Sequence, residues 1–175
     1  FSVQADKDQA ATAQQAADLE KPVKLEVELI RMKCSAGDEE IRDDNDLELY
    51  GNMELTIVDD QLDEVMTYTT LDRSSDNPYN LTKGDKYQEL NEVFTVTTTK
   101  GKLDHLQIVV WGNVTDEDPM DSDDDLLKIS SFADGQPESL PRSEGIGKPS
   151  AVKTISVAGE KNTVFTLMIR VKQIE

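Results

Sequence analysis

From Val23 the chain alternates. Val23, Leu25, Val27 and Leu29 are apolar, and Lys24, Glu26 and Glu28 between them are charged. A period of two predicts a half-buried strand. The parity then moves to Ile30, Met32 and Cys34, which predicts a bulge near Leu29. A second strand puts Leu49, Met53, Leu55 and Ile57 on one face, with Gly51 between them. VMTYTTL (Val65 to Leu71) and VFTVTTT (Val93 to Thr99) are rich in the β-branched and aromatic residues that fit a pleated surface. LQIVVW (Leu106 to Trp111) is apolar on both faces and predicts a central strand. LLKISSF and, later, VKTISV predict short strands. Near the end, Phe165, Leu167, Ile169 and Val171 face one way, and Arg170 and Lys172 the other. The stretches 72–86 and 133–150 read as turn-rich loops. These elements predict an all-β chain, an eight-stranded antiparallel β-sandwich over residues 22–175, with no helix in its body. Residues 1–21 differ. DQAATAQQAADLE is rich in Ala and Gln but has almost nothing larger to bury, so it predicts a short helical or disordered tail acting as a tether, ended by Pro22.

Composition narrows the function. Across 175 residues the net charge is −18. Phosphate contacts need clustered Lys and Arg, so nucleic acid is disfavoured. Unaided binding to an anionic membrane is disfavoured for the same reason. Cations, cationic partners or plain solubility are favoured. One cysteine, Cys34, allows no internal disulfide, and with one histidine, His105, zinc sites built from several such ligands are excluded. Cys34 reads as a small buried hydrophobe and His105 as a surface residue in a turn. No window of about 18 apolar residues marks a transmembrane helix.

The charge is concentrated. Seven of the ten residues from Asp116 to Asp125 are acidic, four residues after the LQIVVW run, and a second acidic segment spans Asp38 to Glu48. Neighbouring carboxylates repel one another, by about 4 kcal/mol at 4 Å and an effective dielectric near 20. A hard dication such as Ca²⁺ relieves that strain and takes 6–8 oxygen ligands. Two acidic loops at one end of a sandwich would form such a cup. The bland alternative is a solvated turn that keeps a sheet end soluble. Neither segment is an EF-hand: counted from Asp116, position five is Met120, and counted from Asp121, position six is Leu126 rather than Gly.

The order of these segments resembles the C2 domain, a family of eight-stranded calcium- and lipid-binding sandwiches. VKLEVELIRMKC looks like its opening strand. The acidic segment leading into ELYGNMELTI resembles its first calcium loop and "DPYV" strand, here with Glu48-Leu49-Tyr50. QELNEVFTV, with Asn91, Glu92 and Phe94, is similar to its "NPxWNExFxF" segment. LDHLQIVVWGNVTDEDPMDSDDDLL resembles "LxIxVxDxDxxxxDDxIG", although Gly112 to Thr115 intervene and Lys128 stands where a Gly is usual. The resemblance implies a Ca²⁺ site built from Asp116, Asp118, and Asp124 or Asp125 in the later loop. In the earlier loop it implies Asp44, Asp46 and Glu48, with Asp38 and Asp43 as further candidates. Met120 at the loop tip would then contact a membrane or a partner protein. A "C…ELYG" segment, here Cys34 and Glu48 to Gly51, is also similar to secreted or surface modules of bacteria.

Other motifs carry less. Asn80-Leu-Thr82 and Asn113-Val-Thr115 match the glycosylation sequon at close to chance frequency. EGIGKPS lacks the P-loop pattern. No nucleophile, base or metal constellation stands out, so no enzyme is expected. The expectation is a non-enzymatic, C2-like module that binds Ca²⁺ through two acidic loops and attaches to a lipid surface or protein. The alternative is an ion-independent structural or adhesive module. Either would be exported: periplasmic, surface-anchored or extracellular.

Overall fold

The computed structural model describes residues 2–35, 46–82, 84, 86–117 and 122–175. Helix α1 (Ser2–Leu19) is followed by β1 (Pro22–Ser35), β2 (Asp46–Val58), β3 (Glu64–Arg73), β4 (Tyr79–Thr82), β5 (Gln88–Thr99), β6 (Gln107–Asp116), β7 (Asp124–Ile129), β8 (Glu138–Ser139), β9 (Lys153–Ala158) and β10 (Val164–Gln173). Only two short 3₁₀ turns, Leu103–His105 and Phe132–Asp134, interrupt the described strands.

The strands form two antiparallel sheets. One has the order β5-β1-β10-β9. The other has the order β3-β2-β6-β7, with β4 also pairing β2 and β8 also pairing β6. The two-layer sandwich expected from the sequence is therefore present, with ten strands among the described residues rather than eight. The extra two lie in stretches read as loops. β4 pairs Tyr79–Thr82 with the start of β2, and β8 makes only two pairs with β6. Segments this short carry no periodicity of their own, and a neighbouring strand's edge organises them.

The apolar alternation becomes the core. Leu25, Val27 and Leu29 from β1, Leu49, Met53, Leu55 and Ile57 from β2, and Phe165, Leu167, Ile169 and Val171 from β10 are all buried between the layers. The parity change in β1 is a register shift between Leu29 and Arg31, seen against both β5 and β10. It keeps Met32 and Cys34 in the core. β6 lies inside its sheet, as its two-faced apolar run requires, with Ile108 and Val110 buried between the layers. Trp111 is half-buried, and its Nε1–H donates to Thr56 Oγ1 at 2.8 Å.

Two glycines let β2 and β6 pass closely. Gly112 has φ +142°, and a Cβ there would lie 2.2 Å from the Asn52 carbonyl oxygen. Gly51 has φ +104°, and a Cβ there would lie 2.0 Å from the Asn113 carbonyl oxygen. Helix α1 stands off the sandwich. Its side chains from Asp6 to Ala17 are exposed. It is held at its base, where Gly101 N–H donates to the Leu19 carbonyl at 2.9 Å and Asp18 bridges Lys21 and Lys100.

Candidate functional site

Antiparallel pairing decides which acidic residues meet. β2 begins where β6 ends: Leu49 lies across from Asp116 and Tyr50 from Thr115. β7 begins at the same place, with Asp116 across from Asp124 and Thr115 from Asp125. The described ends of the two acidic segments therefore share one end of the six-stranded sheet. The β9–β10 turn joins them there. Glu160 N–H donates to the Leu126 carbonyl at 2.8 Å, and Gly159 lies so close to that carbonyl that a Cβ would sit 2.0 Å from it.

Asp116 is the centre of this end. The sequence placed it in a loop, whereas it is the last residue of β6 and only 3% exposed. Its Oδ1 accepts the backbone N–H of Glu48 at 2.9 Å. One residue on, Glu117 N–H donates to the Glu48 carbonyl at 2.8 Å. The carboxylate thus closes the β2–β6 ladder. Alternation alone could not reveal this, because a buried Asp at a strand end looks like the first residue of a polar loop.

Asp123, Asp124 and Asp125 have partners as well. Asp124 pairs with Lys161 from the β9–β10 turn, and its side chain is 13% exposed. Asp125 lies 3.8 Å from Lys128 and accepts a hydrogen bond from Thr115 Oγ1 at 3.2 Å. Tyr50 donates its hydroxyl to Asp123 at 2.8 Å. The bond to that carboxylate, then burial, push the phenol above its ordinary value of 10.0. Asp46 is exposed and Glu48 half-buried. Asp38, Asp43, Asp44, Asp118 and Met120 lie outside the described residues. Lys161 was not singled out in the sequence, since one Lys in a turn carries no signal until the fold sets it beside Asp124.

The donors at this end are hard carboxylate and carbonyl oxygens, which is the chemistry a calcium ion takes. Among the described residues, no three His, Cys, Asp or Glu side chains are grouped closely enough to hold a metal ion. The described part of the expected set is thus incomplete, with Asp116 committed to a backbone N–H and Asp124 to a lysine.

Fold and site define a class: a two-layer antiparallel β-sandwich in which the described ends of two acidic segments meet at one sheet end. No family model matches the chain, and no curated protein matches it in sequence. Among solved structures, one titled "Structure of a C2 domain" is similar, with 10% identity and a TM-score of 0.33 over 86% of this chain and 98% of that one. The architecture itself is established by the strand registers. Among the described residues, no helix is long and apolar enough to cross a membrane.

Proposed function

We propose that the protein is a non-catalytic binding module whose acidic loop end takes up Ca²⁺ and, in that state, attaches to a lipid surface or a partner protein. One observation carries this reading: Asp46, Glu48, Asp116, Asp124 and Asp125, from two separate acidic segments, are brought to one end of one sheet. The two segments hold fourteen of the chain's 36 acidic residues. A bound dication would offset repulsion that strand pairing alone forces on them.

Calcium at about 100 times its Kd adds about 2.7 kcal/mol to folding stability. For a chain of this size that raises Tm by roughly 5–10 °C. Mg²⁺ does far less, being smaller and reluctant to dehydrate. Replacing Asp116 and Asp118 together by Asn abolishes the shift, and vesicles of anionic lipid sediment with the wild type only when calcium is present. A wild-type melting curve that ignores millimolar Ca²⁺ sinks the reading.

A second reading has its own observation. Lys161 and Lys128 already pair with Asp124 and Asp125, so the acidic end can be neutralised from within, giving an ion-independent structural or adhesive module. Lys161→Met separates the two. It frees Asp124 and enlarges the calcium response under the first reading. Under the second it lowers Tm and leaves calcium without effect.

A further inference from the structure

The side of the sandwich between β9 and β7–β8 is built differently from the acidic end. β9 is the last strand of its sheet, and among the described residues it pairs only with β10. That pairing runs without a shift from Lys153↔Ile169 to Ala158↔Val164. After Lys153, β9 reads TISVA, with no charge and no proline. Sheet edges are usually blunted by charges, proline or bulges, because unpaired N–H and C=O groups invite another strand. The neighbouring edges have such protection. β3 carries Glu64, Asp72 and Arg73, and β7 carries Asp124, Asp125 and Lys128. β5 carries Glu89 and Glu92, with Asn91 at φ +52° beside its register break. β9 has none beyond Lys153.

A groove lies next to this edge. β7 and β8 hold β6 at its two ends, leaving residues 109–111 of β6 without a strand partner on that side among the described residues. The opening is ≈ 310 Å³, the size of a small ligand pocket. Val110, Ile129, Ile155 and Val157 give it apolar walls, and Asp134 and Glu138 stand at it as acids. Neither acid forms a salt bridge among the described residues. The ends of this side are pinned. Glu160 N–H bonds the Leu126 carbonyl at one end, and the Lys153 ammonium bonds the Ser139 carbonyl at the other.

We infer that the β9 edge and this groove bind an extended peptide segment bearing lysine or arginine, added as a further strand beside β9. Main-chain hydrogen bonds to β9 hold it, and alternate side chains enter the groove. Six residues of β9 accept a strand of roughly 20 Å at about 3.3 Å per residue. The charge of the occupant follows from Asp134 and Glu138 and from the net charge of −18, which attracts a cationic segment and repels a second copy of this chain.

The test uses the full chain and two short acetylated peptides. One alternates valine with lysine; its match carries glutamate in place of lysine. The lysine peptide is expected to bind roughly tenfold tighter or better, and to slow amide hydrogen exchange within residues 153–158. The double variant Asp134→Lys with Glu138→Lys, both outside the core, keeps a Tm no lower than the wild type's and loses that preference. Val157→Lys, which sets a charge in the groove, also loses binding. Equal binding of both peptides, no binding, or protection elsewhere overturns the inference. So does a double variant that binds as the wild type does. Sedimentation equilibrium of the chain alone covers the other occupant: a dimer whose formation protects residues 153–158 replaces the peptide with a second copy.

Discussion

Asp116 and Asp59 show how a carboxylate becomes part of a backbone. Asp116 is buried and satisfies the Glu48 N–H. Removing its acceptor leaves that donor unpaired, so Asp116→Ala should cost about 1–3 kcal/mol in urea unfolding. Asp116→Asn keeps an oxygen in place and should cost much less, and equal losses would show that the charge rather than the acceptor matters. Asp59 closes the β2–β3 turn. Its Oδ1 accepts from Gln61 and Asp63, and Lys102 lies 3.4 Å from its Oδ2. The Asp63 N–H first, then the Gln61 N–H and Lys102, hold the carboxyl below its ordinary 3.8, against an opposing effect of desolvation. A folded value below the unfolded one means the stabilisation is whole above pH 3.8 and disappears as pH falls through the folded value. Asp59→Asn should therefore flatten the acid limb of the stability–pH curve and leave its neutral region parallel to wild type.

Among the elements, the long strands were legible and the short ones were not. VKLEVEL and FTLMIRV each run through several alternations, and even the parity break after Leu29 was readable, because a bulge moves every later side chain by one position. β4 and β8 were hidden in polar, proline-bearing sequence because their pairing is imposed by β2 and β6. The candidate site was legible in part. The two acidic segments were visible as composition, but their meeting at one sheet end depends on which strands pair. The β2–β6 crossing also rests on a feature of composition, its paired glycines. Gly112→Ala would place a methyl group against the Asn52 carbonyl at a backbone angle that L residues rarely adopt. It should destabilise by at least about 1–3 kcal/mol, read as a lower urea midpoint. A neutral result would mean that β6 can shift its register there.

For the whole molecule, the net charge of −18 acts on every measurement. Like charges weaken the compact state, and salt screens them over a length of about 10 Å at 0.1 M. Tm should therefore climb as NaCl rises from about 10 mM to 0.5 M, without any specific site. Calcium must exceed that rise at matched ionic strength to count as binding. A Tm indifferent to NaCl would mean that internal pairs such as Arg170–Glu28 and Lys161–Asp124 already balance the charge where it matters.

Cys34 turns these equilibria into something that can be timed. It is the chain's sole thiol, wholly buried at the end of β1, and its carbonyl accepts the Gly84 N–H. A thiol reagent can reach it only when that corner of the sandwich opens. Its labelling rate is therefore a clock for local unfolding beside the first acidic segment, readable in the wild-type chain without any introduced probe. Slower labelling on adding a cation would report tightening of that corner directly, separately from any change in global melting.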